Sequence, residues 1–193
     1  ALYVANEMIS KSFSVPATDL EEILARNCRI SDTARAARFC RQAEQACYFC
    51  KDIHYPDVPL HTPTFDTTLL SAHIRPGHVT LIDCWASWCG PCRAAIPKVK
   101  ALYDKYGRDR FDVISISLDS KKEDWQKALE EEKMPWPQFI AGNRGYKQLT
   151  SRYNISSIPN LILIDGKGQV VCNTFSPEEI RIELEQILRS VSY

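Results

Sequence analysis

The chain has 193 residues, 45% hydrophobic and 25% charged, enough apolar material for one medium domain or a domain with a smaller appendage. Its 24 lysines and arginines balance 24 aspartates and glutamates, so no basic field is offered to nucleic acid or to an anionic lipid surface. No apolar run approaches the ~18 residues of a membrane span, and with no basic-then-apolar leader Ala1 reads as the start of a processed or trimmed chain.

Thr18-Asp19-Leu20-Glu21-Glu22 predicts a capped helix running to about Asn27, with acids in its first turn. Ser31-Asp32 opens a second predicted helix to about Asp52. Its Cys40, Ala43, Cys47 and Cys50 share one apolar face at helical spacing, and Arg35, Arg38 and Arg41 form a basic stripe elsewhere on it. Pro56, Pro59 and Pro63 read as an extended linker. Residues 1–58 are therefore expected to be a helical N-terminal extension with a linker, and residues 59–193 the main domain.

From Thr64 the pattern changes. A short strand is expected near Phe65, a turn at Arg75-Pro76-Gly77, and a central strand over Val79 to Trp85. A helix from Cys92 to Tyr106 precedes a strand from Asp112 to Leu118, whose apolar and small residues suit burial in a parallel sheet. Lys121 to Lys133 predicts an amphipathic helix, and Gly145 to Tyr153 a shorter one. Leu161 to Asp165 and Gln169 to Phe175 flank a hairpin turn at Gly166-Lys167-Gly168. Ser176 as N-cap and Pro177 in the first turn open a last helix to about Val191. Strands alternating with helices predict an α/β fold, a mixed central sheet flanked by helices on both faces.

Trp88-Cys89-Gly90-Pro91-Cys92 lies at the junction of the central strand and the helix after it. Two cysteines at this spacing can close a small disulfide ring. The first thiol falls where unpaired backbone N–H groups and the helix dipole stabilise an anion. Thiolate is the attacking species, so Cys89 is the candidate nucleophile and Cys92, one turn deeper, the resolving thiol. A buried cystine or half of a zinc site would use the same two residues. Zinc, however, needs two further ligands at suitable spacing, and the flanking Trp, Gly and Pro are more specific than a bare C-x-x-C. Asp83 is a carboxylate in a strand otherwise built mainly of apolar residues. Burying it is costly without a purpose. A buried acid of raised pKa suits deprotonation of Cys92, whereas an aspartate satisfied by hydrogen bonds would be structural only. The two sulfurs carry the electrons, so no metal and no cofactor are expected.

The remaining cysteines are weighed separately. Cys84 and Trp85 read as core, and Cys172 as a small buried hydrophobe. Cys40 and Cys47 are about 10.5 Å apart on a straight helix, beyond the reach of a disulfide. Buried thiols on the packing face are the favoured reading of the N-terminal set. A disulfide using Cys47–Cys50 or Cys28, and a Cys28/Cys40/Cys47/Cys50 zinc site, are the others. The histidines His54, His61, His73 and His78 sit in or near turns and read as surface residues.

The run from Leu81 to Arg93 resembles the active-site signature of the thioredoxin superfamily, almost position by position. Pro97 falls where that family kinks its active-site helix, Ile158-Pro159 looks like its cis-proline loop, and Asp83 matches its buried acid. The resemblance covers about residues 60 to 193 and implies a thioredoxin-like fold. It also implies a substrate surface of Trp88, Gly90, Pro91, Ile158 and Pro159, with the backbone of Ile158 pairing to an extended substrate. Extra length around Lys121 to Tyr146 is similar to the TlpA/ResA-like branch of extracytoplasmic bacterial thiol–disulfide oxidoreductases. Members of that branch are usually membrane-tethered, which implies a periplasmic setting and a tether outside this chain. In two places the chain departs from the pattern. Ala95 stands where many of that branch carry a glutamate, leaving Asp83 to handle protons alone, and Ser115 and Ser117 occupy the stretch where thioredoxins keep a lysine.

The resemblance implies a dithiol–disulfide cycle acting on protein disulfides or dithiols and recharged by an upstream thiol reductant. A Gly-Pro pair between the cysteines is similar to thioredoxin's own and favours a reductant over an oxidant. Two other readings stand beside it. One is a thiol peroxidase of the AhpC/TSA-like kind, although no threonine lies three residues before Cys89. The other is a redox-inert module that docks a partner through its N-terminal segment.

Overall fold

The computed structural model describes residues 53–107 and 110–190. The helices expected over Thr18–Asn27 and Ser31–Asp52, with Cys28, Cys40, Cys47 and Cys50, lie outside the described residues.

Val79 to Trp85 combines β-branched and large apolar residues, and it forms a strand whose seven positions are all buried. A strand enclosed on both faces belongs in the middle of a covered sheet. In chain order the strands are β1 (Ile53–His54), β2 (Pro59–His61), β3 (Thr67–Leu69), β4 (Val79–Trp85), β5 (Phe111–Ser117), β6 (Gln138–Ile140), β7 (Asn160–Ile164) and β8 (Gln169–Thr174). A 3₁₀ turn at Leu70–His73 follows β3, and the helices are α1 (Gly90–Tyr106), α2 (Lys122–Glu132), α3 (Gly142–Arg152) and α4 (Pro177–Ser190). Among the described residues the strands form one sheet in the order β1-β8-β7-β4-β5-β6-β2-β3. β4 runs parallel to β5, and β5 to β6, while β7 is antiparallel to both β4 and β8.

Side-chain alternation along β4 sorts the core into two layers. Ile82 and Cys84 join Ile114, Ile116, Ile162 and Ile164 in a layer capped by Leu149 and Tyr153 near the end of α3. Val79 and Leu81 point the other way, into a layer with Val99 and Leu102 of α1 and Ile180 and Leu184 of α4. A third cluster gathers Trp85, Ala86, Cys89, Cys92 and Ile96 with Trp125 and Ala128 of α2.

The stretch read as a linker belongs to the sheet. β1 pairs with β8, β2 pairs with both β3 and β6, and Val58 and Leu60 are fully buried. The strand expected near Phe65 lies to either side of it instead, in β2 and β3. Phe65 itself sits in the turn between them at φ 70, its N–H donating to the Thr62 carbonyl. β6 was not anticipated, because three residues between Pro137 and Gly142 are too few for a strand pattern to show.

Gly145 marks where α3 presses on β2. A Cβ there would stand 2.3 Å from the carbonyl oxygen of Pro59, a backbone atom that cannot swing aside. Alanine is the better helix former by about 1 kcal/mol, but overpacking typically costs 1–3 kcal/mol. Gly145→Ala is therefore expected to destabilise the chain by about 1 kcal/mol on balance in urea denaturation. A neutral or stabilising result would mean that α3 can lift from β2 freely.

Candidate active site

β4 ends at Trp85, and the next four residues turn the chain into α1. The Cys89 N–H donates to the Ala86 carbonyl, and the Leu118 N–H beyond β5 donates to that of Trp85. Asp119 fixes this turn from outside. Its carboxylate accepts from the Ser87 N–H at 2.9 Å, the Ser87 hydroxyl at 2.7 Å and the Ser117 hydroxyl at 2.7 Å. The active-site loop is thus tied to the end of β5 by one buried acid.

Cys89 is the N-cap of α1, with extended backbone at φ −85° and ψ 92°. The Cys92 N–H donates to Cys89 Sγ at 3.2 Å, and the Arg93 N–H to the Cys89 carbonyl at 3.1 Å. One of the orphan donors of a 17-residue helix is therefore aimed at the first sulfur. Pro91 sits in the first turn, where a missing N–H costs nothing. Pro97 removes an amide from the middle of the same helix. Cys89 and Cys92 are joined in a disulfide, with Cα atoms 5.2 Å apart. Both are nearly enclosed, at 4% and 2% exposure, under a rim of exposed Trp88, Gly90 and Pro91.

Asp83 lies on the α1 side of β4, two residues before Trp85, and is buried. It pairs in register with Ser115 of β5, whose hydroxyl donates to Asp83 Oδ2 at 2.8 Å. The same hydroxyl oxygen accepts the indole N–H of Trp136 at 2.8 Å. Burial pushes the Asp83 carboxyl up to about 6, and the hydrogen bond from Ser115 acts in the opposite direction. Cys84, on the other face of β4, has its thiol pushed well up by burial and further by the charge of Asp83, so it stays an inert core thiol. Cys172 of β8 is half-buried.

Ser115→Ala removes the donor that favours the ionised carboxylate and leaves the Trp136 N–H without its acceptor. The expected result is a carboxyl pKa above about 6, followed through the pH dependence of its infrared band. A stability loss of about 1–3 kcal/mol should accompany it. An unmoved titration would sever Ser115 from Asp83.

The second half of the site comes from the far end of the chain. The Ile158–Pro159 peptide is cis, and both residues are half-buried where the chain enters β7. Ile158 packs against the cluster that contains both cysteines. Among the described residues no backbone hydrogen bond is made to Ile158.

Sequence reasoning named Cys89, Cys92, Asp83, Trp88, Gly90, Pro91, Ile158 and Pro159, and the fold gathers them at one end of the sheet around the β4–α1 turn. It did not find Asp119, Ser87 or Trp136, and noted Ser115 only as an absent lysine.

A thioredoxin-like family model matches residues 77–170. The thiol–disulfide oxidoreductase ResA of Geobacillus kaustophilus is 26% identical over 65% of this chain and 75% of its own length. A crystal structure of a putative thiol:disulfide interchange protein DsbE from Chlorobium tepidum is 32% identical. It superposes with a TM-score of 0.58, over 72% of this chain and 96% of that one. The thioredoxin domain of a thiol–disulfide oxidoreductase from Bacteroides vulgatus gives a TM-score of 0.65 at 25% identity, over 71% of this chain and 96% of that one.

Proposed function

The chain belongs to the thioredoxin superfamily, among its thiol–disulfide oxidoreductases, and on that premise we propose that it reduces disulfide bonds of protein substrates through a Cys89/Cys92 cycle. The observation that carries this reading is the N-cap position of Cys89, whose sulfur already accepts the Cys92 N–H.

In the reduced chain the same donor and the helix dipole stabilise a Cys89 thiolate. That thiolate attacks one sulfur of the substrate disulfide and expels the other as a thiolate, leaving a mixed disulfide. Cys92 then loses its proton and attacks Cys89 Sγ. The second substrate sulfur leaves as a thiolate, and the Cys89–Cys92 disulfide is formed. Asp83 takes the Cys92 proton. With a pKa of about 6 it is mostly ionised at pH 7, so it can accept one there. Its hydrogen bond runs to Ser115 and not to a sulfur, so the transfer passes through water. Trp88, Gly90 and Pro91 border the reacting sulfurs, and Ile158 presents its backbone beside Pro159 to hold the substrate extended. An upstream thiol reductant restores the dithiol. The compartment is extracytoplasmic, as the likeness to ResA-type chains suggests. Among the described residues no helix is long and apolar enough to cross a membrane.

Iodoacetamide labelling of the reduced chain against pH tests the reading. One fast thiol, Cys89, is expected, with a midpoint well below the ordinary cysteine value of about 8.5, and the same preparation should reduce insulin. A midpoint at the ordinary value would remove the basis of the mechanism.

A further inference from the structure

The loop from Asn154 to Pro159 has little backbone pairing of its own. The Ile155 N–H donates to the Thr150 carbonyl, but among the described residues no backbone hydrogen bond is made to Ser156, Ser157 or Ile158. Such a segment is held by whatever grips its two ends. Here those ends are joined by two amide side chains. The β7–β8 register sets Ile162 opposite Asn173, so Asn160, two residues earlier on the same face of β7, reaches Asn173 on the diagonal. Asn160 Nδ2 donates to Asn173 Oδ1 at 2.8 Å, and Asn173 Nδ2 donates to the Tyr153 carbonyl at 3.2 Å. A carbonyl only accepts, so the Tyr153 end fixes the direction of both bonds. Tyr153 directly precedes the loop and Asn160 directly follows Pro159, so the two amides close its neck. The Tyr153 anchor is itself fixed, since its side chain is buried and its hydroxyl donates to the Pro56 carbonyl at 2.7 Å. Asn160 is 4% exposed, and its Oδ1 is buried without a partner. That is a cost, and it points to a task that the Leu and Ile of the rest of β7 would not perform.

We propose that Asn160 and Asn173 are positioning residues for substrate binding: their linked amides hold the loop closed and set the Ile158 backbone where an extended peptide can pair with it beside Cys89. The proposal rests on the disulfide-reductase reading above. The two amides lie on the α3 side of the sheet, with Ile162 and Ile164, whereas Cys89 and Cys92 belong to the cluster with Trp85 and Trp125. Their influence therefore passes through Ile158, whose side chain packs against both of these clusters. A loop released at its neck lets Ile158 shift from both at once. The substrate strand then loses its edge, while the helix N-terminus that stabilises the Cys89 thiolate is untouched. Such a fault weakens the binding of extended peptides and spares the thiol chemistry.

The test uses the full reduced chain in single-turnover reactions over a range of substrate concentrations. One substrate is an extended peptide whose central cysteine is disulfide-linked to a small thiol; the other is oxidised glutathione, too short to lie along the loop. Asn173→Leu keeps the side-chain volume and removes both hydrogen bonds, and Asn173 is only half-buried, so the fold should stand. The half-saturating peptide concentration is expected to rise about tenfold while the limiting rate stays within about twofold, the pattern of lost positioning without lost chemistry. The rate with oxidised glutathione and the pH midpoint of Cys89 labelling by iodoacetamide should not move. Asn160→Ala should give the same peptide-selective fault. The double variant should be no worse than the more severe single one, because the two amides act as one link. Equal losses with both substrates would show general damage and overturn the proposal. An unchanged half-saturating concentration, or effects that add in the double variant, would overturn it as well. If the unaltered chain failed to reduce even oxidised glutathione, the reductase reading itself would fall, and the proposal with it.

Discussion

Cys92→Ser is expected to turn the chain into a trap. Cys89 remains at the helix N-terminus with the residue-92 amide still aimed at its sulfur, so attack on a substrate disulfide proceeds. The second step needs a thiol one turn along α1, and serine supplies none. The mixed disulfide therefore persists and should be visible by non-reducing electrophoresis and intact mass as chain plus substrate. Cys89→Ser should behave differently: no adduct forms, and turnover falls on the order of 10³-fold or more because the nucleophile itself is gone. An adduct that accumulated in Cys89→Ser and not in Cys92→Ser would reverse the assignment of the two sulfurs.

Asp83→Asn should make the oxidised chain more stable and its chemistry slower. The carboxyl titrates near 6 in the folded chain and near ~3.9 when unfolded. Below pH ~4 both states hold the proton and there is no penalty. As the pH rises through 4 to 6 the unfolded chain releases its proton first, so stability is lost over that window and the loss is complete above it. A shift of about two pH units corresponds to about 3 kcal/mol, part of which is offset if asparagine fits the Ser115 hydroxyl less well. Urea denaturation should show Asp83→Asn more stable by about 2–3 kcal/mol at pH 7 and nearly equal to the parent chain at pH 4. In stopped-flow reactions, resolution of the mixed disulfide should slow while its formation does not, as the role proposed for the acid toward Cys92 requires. Equal slowing of both steps, or of neither, would leave Asp83 a structural residue.

These two effects arise from residues the sequence displays openly, whereas the groups that tune them are hidden in it. Cys89 and Cys92 are local: three residues apart, with Gly-Pro between them, at a strand-to-helix change that periodicity alone reveals. Asp83 stands out as a charge in an apolar run. Ser115 is 32 residues away along the chain, and only the β4–β5 register sets it against Asp83. Trp136 reaches the same hydroxyl from a further 21 residues on, across the helix α2 and just before a strand only three residues long. Asp119 likewise meets Ser87 across 32 positions. Pairings of that kind depend on strand alignment, and a serine carries no mark of its partner. The left-handed turn at Phe65 was missed for a similar reason. An aromatic residue among threonines reads as strand, and here the packing of its ring against Trp125, 6.3 Å between centroids, accompanies a conformation that local preference disfavours.

The short strand β1 has a bearing on where this folding unit can be cut. Ile53 and His54 lie along the outer side of β8, where they pair with Val170 and Gln169. Without them β8 would end the sheet as a bare flank of N–H and C=O groups, the condition under which sheets recruit strands from other molecules. Two residues are a small guard for six, and they stand five and six positions upstream of the boundary that the prolines suggest. Trimming at that boundary would uncover β8 while leaving Cys89, Cys92 and Asp83 in place, and the trimmed chain is expected to be more prone to stick to itself than the longer one.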